Sequence, residues 1–468
     1  MEKIELLLWK ACIIGAFILA TLIILKLIKN RLIGEGKGLF MTSKGSTLKG
    51  SGLLKEKSPK GFIFGKKGKS KVYLKNTEEG HITVFGGSGK GKTSALLIPS
   101  LRAWNSPFFV IDISGDISKN VEIEKEKKII LEPENPLSSA TYNVFYFADK
   151  ADGEDEKREE IEELVMLIIE IPKNANDTQM YFLSTARKIL LASMLAFYDI
   201  GMDFPEICRA VYFNSITELV SMIDASGNKL ALGYIKPLLD ENEKNVSGAK
   251  NTLNGKIKLF ADNSNMEKIL TRDDRGFSGS SFNPTMLNEK RVFLKVSDEK
   301  QEFYNPFINI VIAQILSYIG SRKYEPGIDE RILIAIDEFA SIGYLNVLSP
   351  FRKFRKNGAN LCILTQSLAD IDLVYSEKER KVILDNSNYI VVLSATDNST
   401  REYFSSLIGK VNVEKKSTSS GKGGTSTSRS MQREYAIEPE YWKNLKENIV
   451  VIHPNGYLKL KKNFYFNE

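Results

Sequence analysis

Apolar residues in this chain gather in short unbroken runs set between polar segments of helical spacing. His81-Ile82-Thr83-Val84-Phe85, Pro107–Asp112, Lys128–Leu131, Lys290–Val296, Arg331–Ile336, Asn360–Leu364 and Tyr389–Leu393 are dense in branched and aromatic residues. Runs of that length predict strands buried on both faces. Ser94–Ile98, Pro306–Arg322, Ser349–Asn357 and Arg401–Ile408 read as helices between them. Strands alternating with helices predict an α/β fold with a parallel sheet. From about Thr178 to Asp262 the pattern changes. Arg187–Tyr198, Ile207–Phe213 and Ile216–Ile223 carry apolar residues at helical spacing and no strand is readable, which predicts an all-helical insertion. Its apolar stripes are core, not cofactor boxes. Asp149–Glu163, dense in charge, reads as a solvated helix start. Glu414–Arg433 is rich in Ser, Thr, Gly and Lys without periodicity and reads as a flexible surface loop. Trp442 and the strands Asn448–His453 and Gly456–Lys461 then return the chain to the fold.

The N-terminus follows a different rule. Ala11–Leu25 is 15 apolar residues, and Leu6–Trp9 extends it past Lys10. With Lys10 snorkelling to the interface the run reaches about 20 residues, enough to span a bilayer. Lys26-Leu27-Ile28-Lys29-Asn30-Arg31 follows in place of a small-residue cleavage site, so a retained anchor is expected rather than a signal peptide. By the positive-inside rule the basic residues after the run put the bulk of the chain in the cytoplasm, behind a single pass through a membrane, expected to be the cell's inner (plasma) membrane. Lys26–Lys75 holds fourteen Lys and Arg against Glu35 and Glu56. That segment fits a solvated tether beside anionic lipid, a basic surface near a nucleic-acid path, or both.

Composition adds limits. The 468 residues leave room for two or three domains, and 43% hydrophobic content is ordinary for a globular chain. A net charge of +7 permits an anionic partner without naming one. Cys12, Cys208 and Cys362 are far apart and form no ligand spacing with His81 or His453, which argues for a reducing compartment and against structural zinc.

One stretch carries chemistry on its own. Gly86-Gly87-Ser88-Gly89-Lys90-Gly91-Lys92-Thr93 follows a predicted strand and opens a predicted helix. Glycines let the backbone turn tightly around a phosphate, and the turned N–H groups make an anion site. Lys92 would neutralise the β- and γ-phosphates of ATP, and Thr93 would reach Mg²⁺. The strand Arg331–Ile336 ends in Asp337-Glu338, the Walker B arrangement: Asp337 for the Mg²⁺ shell, Glu338 to orient and activate water. Asp112 ends another strand, as a further group near Mg²⁺ or simply as a loop-starting cap. Arg352-Lys353-Phe354-Arg355-Lys356 is a solvated helix face or the source of an arginine for a neighbour's γ-phosphate. Gln366 closes the strand after Asn360, a position where a glutamine in motor ATPases can sense the γ-phosphate.

Gly80–Thr93, Ile334-Ala335-Ile336-Asp337-Glu338-Phe339-Ala340-Ser341-Ile342-Gly343 and Leu364-Thr365-Gln366-Ser367-Leu368-Ala369-Asp370-Ile371-Asp372 together resemble the type IV secretion coupling proteins, the TraG/TraD-type conjugation ATPases. Asn386–Leu393 and Ala395–Gly409 are similar to the family's distal segments, and the likeness covers roughly residues 60–460. The resemblance implies a RecA-like P-loop NTPase domain with an inserted all-α domain and an N-terminal transmembrane helix. It divides the chain into an anchor (1–33), a basic linker (34–75), a first ATPase part (76–175), the all-α insertion (176–270) and a second ATPase part (271–468, with 414–433 flexible). It implies a homo-hexameric ring that hydrolyses ATP and couples the relaxosome to a secretion channel, moving single-stranded DNA with its relaxase. Residue by residue it assigns Lys92 and Thr93 to phosphate and Mg²⁺, Asp337 and Glu338 to the Walker B pair, and Gln366 to the family's glutamine. Arg355 best fits the trans-acting arginine, with Arg352 the alternative. The alternatives kept open are an ATP-dependent recruiter of protein effectors and a related RecA-like DNA translocase; a small-molecule kinase fits least. One membrane run is readable where many members have two. Ile-Ser-Gly-Asp follows Asp112 where Pro-Lys-Gly-Glu is common, and the C-terminal tail is short.

Overall fold

The computed structural model describes residues 48–172, 174–272, 279–421 and 424–467. The expected anchor at 1–33 and the first part of the expected linker lie outside them. Among the described residues the strands run β1 (Leu54–Glu56), β2 (Gly61–Lys67) and β3 (Ser70–Lys75), then β4 (Ile82–Phe85), β5 (Phe108–Asp112), β6 (Lys128–Leu131) and β7 (Thr141–Tyr142). After a helical region come β8 (Ser281–Phe282), β9 (Arg291–Lys295), β10 (Ile332–Ile336), β11 (Ala359–Thr365) and β12 (Tyr389–Val392). β13 (Lys410–Gly421), β14 (Gly424–Tyr435), β15 (Asn448–His453) and β16 (Gly456–Lys461) follow.

Twelve strands form one mixed sheet, ordered β1-β3-β2-β16-β15-β12-β4-β11-β10-β5-β9-β6. From β12 to β6 every neighbouring pair is parallel, and from β12 back to β1 every pair is antiparallel. The parallel strands are the unbroken apolar runs, because both of their faces are covered. Alternation survives inside them. Phe109 and Ile111 enter one core, with Ile334, Ile336 and Ile363. Phe108 and Val110 enter the other, with Leu333, Ala335 and Leu364. The strand with the phosphate loop and the strand ending in Asp337 are separated by β11 alone, so the ends of all three converge.

Helices alone occupy Asp177–Ile269 between β7 and β8, which pair in parallel and bring the entry and exit of this insertion together. Its helices start on side-chain caps: Asn176 accepts from Gln179 N–H, and Ser215 from Glu218 N–H. The insertion shares one continuous core with the first face of the sheet. Asp177–Asp199 and Asp298–Ser321 are long and apolar enough to cross a membrane, but 61% and 50% of their most apolar windows are buried inside the fold.

Two expectations are corrected. Within the expected linker, residues 54–75 form three strands. Phe62, Ile63, Phe64, Val72 and Leu74 are buried, and the lysines around them had hidden this short apolar alternation. Residues 414–421 and 424–433 lie in two paired strands, β13 and β14, in register from Lys410↔Tyr435 to Gly421↔Gly424. Their pairing is set across the strands, with a Lys415–Glu434 ion pair, and composition along one strand does not reveal that.

Candidate nucleotide-binding site

The glycine loop leaves β4 and meets its neighbours at once. Gly86 N–H donates to Thr365 O at 3.1 Å, and Gly87 N–H to Ser394 Oγ at 3.1 Å. A Cβ on Gly86 would meet Leu393 Cβ at 3.2 Å and Lys92 Cγ at 3.3 Å, so a larger residue there would have to push these side chains aside. Gly89 (φ 68°) and Gly91 (φ 94°) take the left-handed backbone. Ser88, Gly89 and Lys90 form the exposed lip. Lys92–Leu97 then winds as a π-helix that passes into an α-helix at Ile98–Ala103.

At the end of β10 two contacts define the site. Thr93 Oγ1 donates to Asp337 Oδ2 at 2.8 Å, and Lys92 Nζ lies 3.1 Å from Glu338 Oε1. Lys92 is 5% exposed and Glu338 30%. Burial pushes the Asp337 carboxyl up to about 6, and the Glu338 charge adds to this; the Thr93 hydroxyl and the Lys92 cation oppose it. Glu338 N–H donates to Asp337 Oδ1 at 3.1 Å. Glu338 itself has φ 48°, ψ 49°, a left-handed backbone that costs a non-glycine residue about 1 kcal/mol or more. From this backbone turn its side chain reaches Lys92.

Gln366 follows Thr365, the residue whose carbonyl receives Gly86, so it stands at the same strand ends and is exposed. Arg355 is not brought there. It lies in the turn before β11, beyond the helix Leu348–Lys353 rather than on it. β11 spans seven residues, which at 3.3 Å each puts about 23 Å between that turn and the site. The Arg355 turn is held by guanidinium groups. Arg331 Nη2 donates to Arg355 O at 3.1 Å, and Arg322 Nη1 to Asn357 O at 3.3 Å. Arg352, on the helix, is exposed. Asp112 is a cap: its carboxylate accepts from Ile117 N–H (3.2 Å) and Ser118 N–H (2.7 Å) at the start of the next helix. Cys208 and Cys362 are buried free thiols. Sequence reading missed Ser394, because its contact with Gly87 exists only through the β12–β4 pairing.

The family described as type IV secretory system conjugative DNA transfer matches residues 37–468. The chain belongs to this family. It is 22% identical over 422 residues to the type IV secretion system-coupling protein VirD4 of Bartonella henselae, covering 85% of this chain and 64% of that protein. It is 26% identical over 436 residues to protein VirD4 of Agrobacterium fabrum, covering 87% and 62%. The chain thus spans about three-fifths of the length of the curated relatives it matches. Among solved structures, the plasmid coupling protein TrwB with a non-hydrolysable ATP analogue superposes with a TM-score of 0.63 at 20% identity, over 87% of this chain and 90% of that one. TrwB with ADP and Mg²⁺ gives 0.61 at 20% identity, over 82% and 85%. These likenesses establish the RecA-like α/β fold with its helical insertion.

Proposed function

We propose that this chain is a membrane-anchored ATP-hydrolysing motor that couples a relaxosome to a type IV secretion channel and drives single-stranded DNA, with its relaxase, into it. One observation carries the reading. Thr93 and Lys92 from one strand end meet Asp337 and Glu338 from another, at 2.8 Å and 3.1 Å. The glycine loop beside them turns its backbone as a phosphate cradle requires.

Thr93 and Asp337 would hold Mg²⁺, and the ion would supply charge neutralisation on the β- and γ-phosphates. Lys92 moves from Glu338 to the phosphates when ATP enters. Glu338 is then free to take the proton of the attacking water. Gln366 stands beside the loop to register the γ-phosphate. Arg355 is too far along β11 to act on its own site; in a homo-hexamer it would serve a neighbour's. The apolar run at 6–27 would tether the ring to the inner membrane. The curated relatives' names and the family description support the DNA-transfer role.

The test is ATP turnover by the full chain in detergent, with and without single-stranded DNA. Turnover stimulated by DNA and abolished by Lys92→Ala, with circular dichroism unchanged, is expected. DNA-independent turnover would remove the DNA motor, and full turnover in the variant would remove the site.

A further inference from the structure

The last described residues do not trail away from the fold. After β16, Asn463 is buried and Phe464 lies against the phosphate loop: a Cβ built on Gly91 would meet Phe464 Cε1 at 3.2 Å. Phe466 stacks on Phe464 with ring centroids 5.1 Å apart and planes inclined by 22°. Phe466 is 63% exposed.

The segment is fixed from the helix that continues the phosphate loop. Arg102 of that helix donates through Nη1 to Tyr465 O at 3.3 Å, and its guanidinium lies 5.1 Å from the Tyr465 ring centroid. The same guanidinium donates through Nε to Asn120 O at 2.8 Å. Tyr465 in turn meets Phe466 edge to face at 5.4 Å. Two near-parallel aromatic rings are therefore held beside Gly91, one against the loop and one presenting its face to water. Phe464 rests on the loop, whereas Phe466 is covered on one side by Phe464 and is otherwise largely open to water.

We propose that Phe464 and Phe466 form a shelf on which the purine base of the bound nucleotide stacks. This rests on the nucleotide reading of the phosphate loop. Phosphates cradled at Gly86–Thr93 leave the nucleoside to extend past the loop, and the shelf is the aromatic surface adjoining Gly91. A base presents a flat π-face to such a ring and gains from it whatever hydrogen-bond groups its edge carries. The shelf thus rewards a flat base and does not choose between adenine and guanine.

The experiment is calorimetric titration of the full-length chain with Mg-ADP and, separately, with Mg-pyrophosphate. The wild type is compared with Phe466→Ala and Phe464→Leu. Pyrophosphate reads the loop alone, and ADP reads the loop plus the shelf. Loss of a stacked ring should weaken ADP about tenfold while pyrophosphate stays within about twofold. Phe466→Ala changes an exposed side chain, so its result does not depend on repacking. Unchanged ADP affinity in both variants, with wild-type binding intact, overturns the shelf and leaves the nucleotide site standing. A parallel fall in ADP and pyrophosphate in Phe466→Ala also overturns it, as distortion of the loop. A wild type that binds neither compound removes the nucleotide site and the shelf with it.

Discussion

Asp337→Asn should make the nucleotide-free protein more stable at neutral and basic pH. The Asp337 carboxylate is buried, and its pKa is raised from 3.8 to about 6. Two donors reach it, the Thr93 hydroxyl and the Glu338 N–H, yet desolvation outweighs them. A carboxyl with a raised folded pKa is harder to ionise folded than unfolded, so its ionisation opposes folding above that pKa. The shift is about 2 units, and at 1.36 kcal/mol per unit the burden is about 3 kcal/mol at pH 8. About half remains at pH 5, and little at pH 4. Asparagine has the same shape. Its Oδ1 can accept from Glu338 N–H, and its Nδ2 can donate to a rotated Thr93 hydroxyl. Spread over 468 residues, 3 kcal/mol is a rise in Tm of about 3 °C. The assay is thermal unfolding of both proteins without nucleotide or Mg²⁺ at pH 8, 5 and 4. A gain that shrinks toward pH 4 is expected. A destabilised variant at pH 8, or an equal gain at every pH, would refute the reasoning. The variant should also lose ATP turnover, since the carboxylate that burdens the fold is the one offered to the metal.

Two further outcomes follow from the geometry. Arg355→Ala should cut turnover by on the order of 10³-fold or more, but mixing it with inert Lys92→Ala chains should restore activity above the sum of the two. A mixture showing only the sum would place the arginine outside the neighbour's site. His81 is buried, and desolvation together with the Arg355 and Arg331 charges lowers its pKa to about 3. The unfolded chain takes up that proton below about 6.5 and the fold does not, so stability falls by about 2 kcal/mol between neutrality and pH 5. His81→Asn, which can still accept from Leu361 N–H, should lose less in urea denaturation at pH 5 relative to pH 8; an identical loss would count against this.

The sequence exposed the site best where neighbours in space are neighbours in the chain. Gly86–Thr93 and Ile332–Glu338 each carry their strand, turn and polar group in one segment, so the motif and its context are read together. Glu338's left-handed backbone was not legible, since nothing in Asp-Glu-Phe requires φ 48°. Ser394 and Phe464 reach the loop only through sheet order, and a lone serine or phenylalanine gives no local sign of that. Strand runs buried on both faces were plain, whereas β2 and β3 were obscured because Lys66, Lys67, Lys69 and Lys71 at their tip separate the apolar residues that pack. The Ser/Thr-rich strand pair was read as a loop for the complementary reason: its order comes from cross-strand pairing, which composition does not encode.

One feature of the sheet bears on how force would travel. β2 meets β16 at a single register pair, Lys461↔Lys66, two like charges face to face. The β1–β3 layer is secured instead from the side: Ile63 exchanges hydrogen bonds with Ser100 Oγ, and the Phe64 ring leans on Tyr389 at 5.0 Å. The β1–β3 layer is thus joined to the rest of the sheet at one register pair and by side-on contacts rather than by a continuous ladder. If the residues before β1 tether the chain to a membrane, as proposed, a pull on them would load that narrow join before the strands around the phosphate loop.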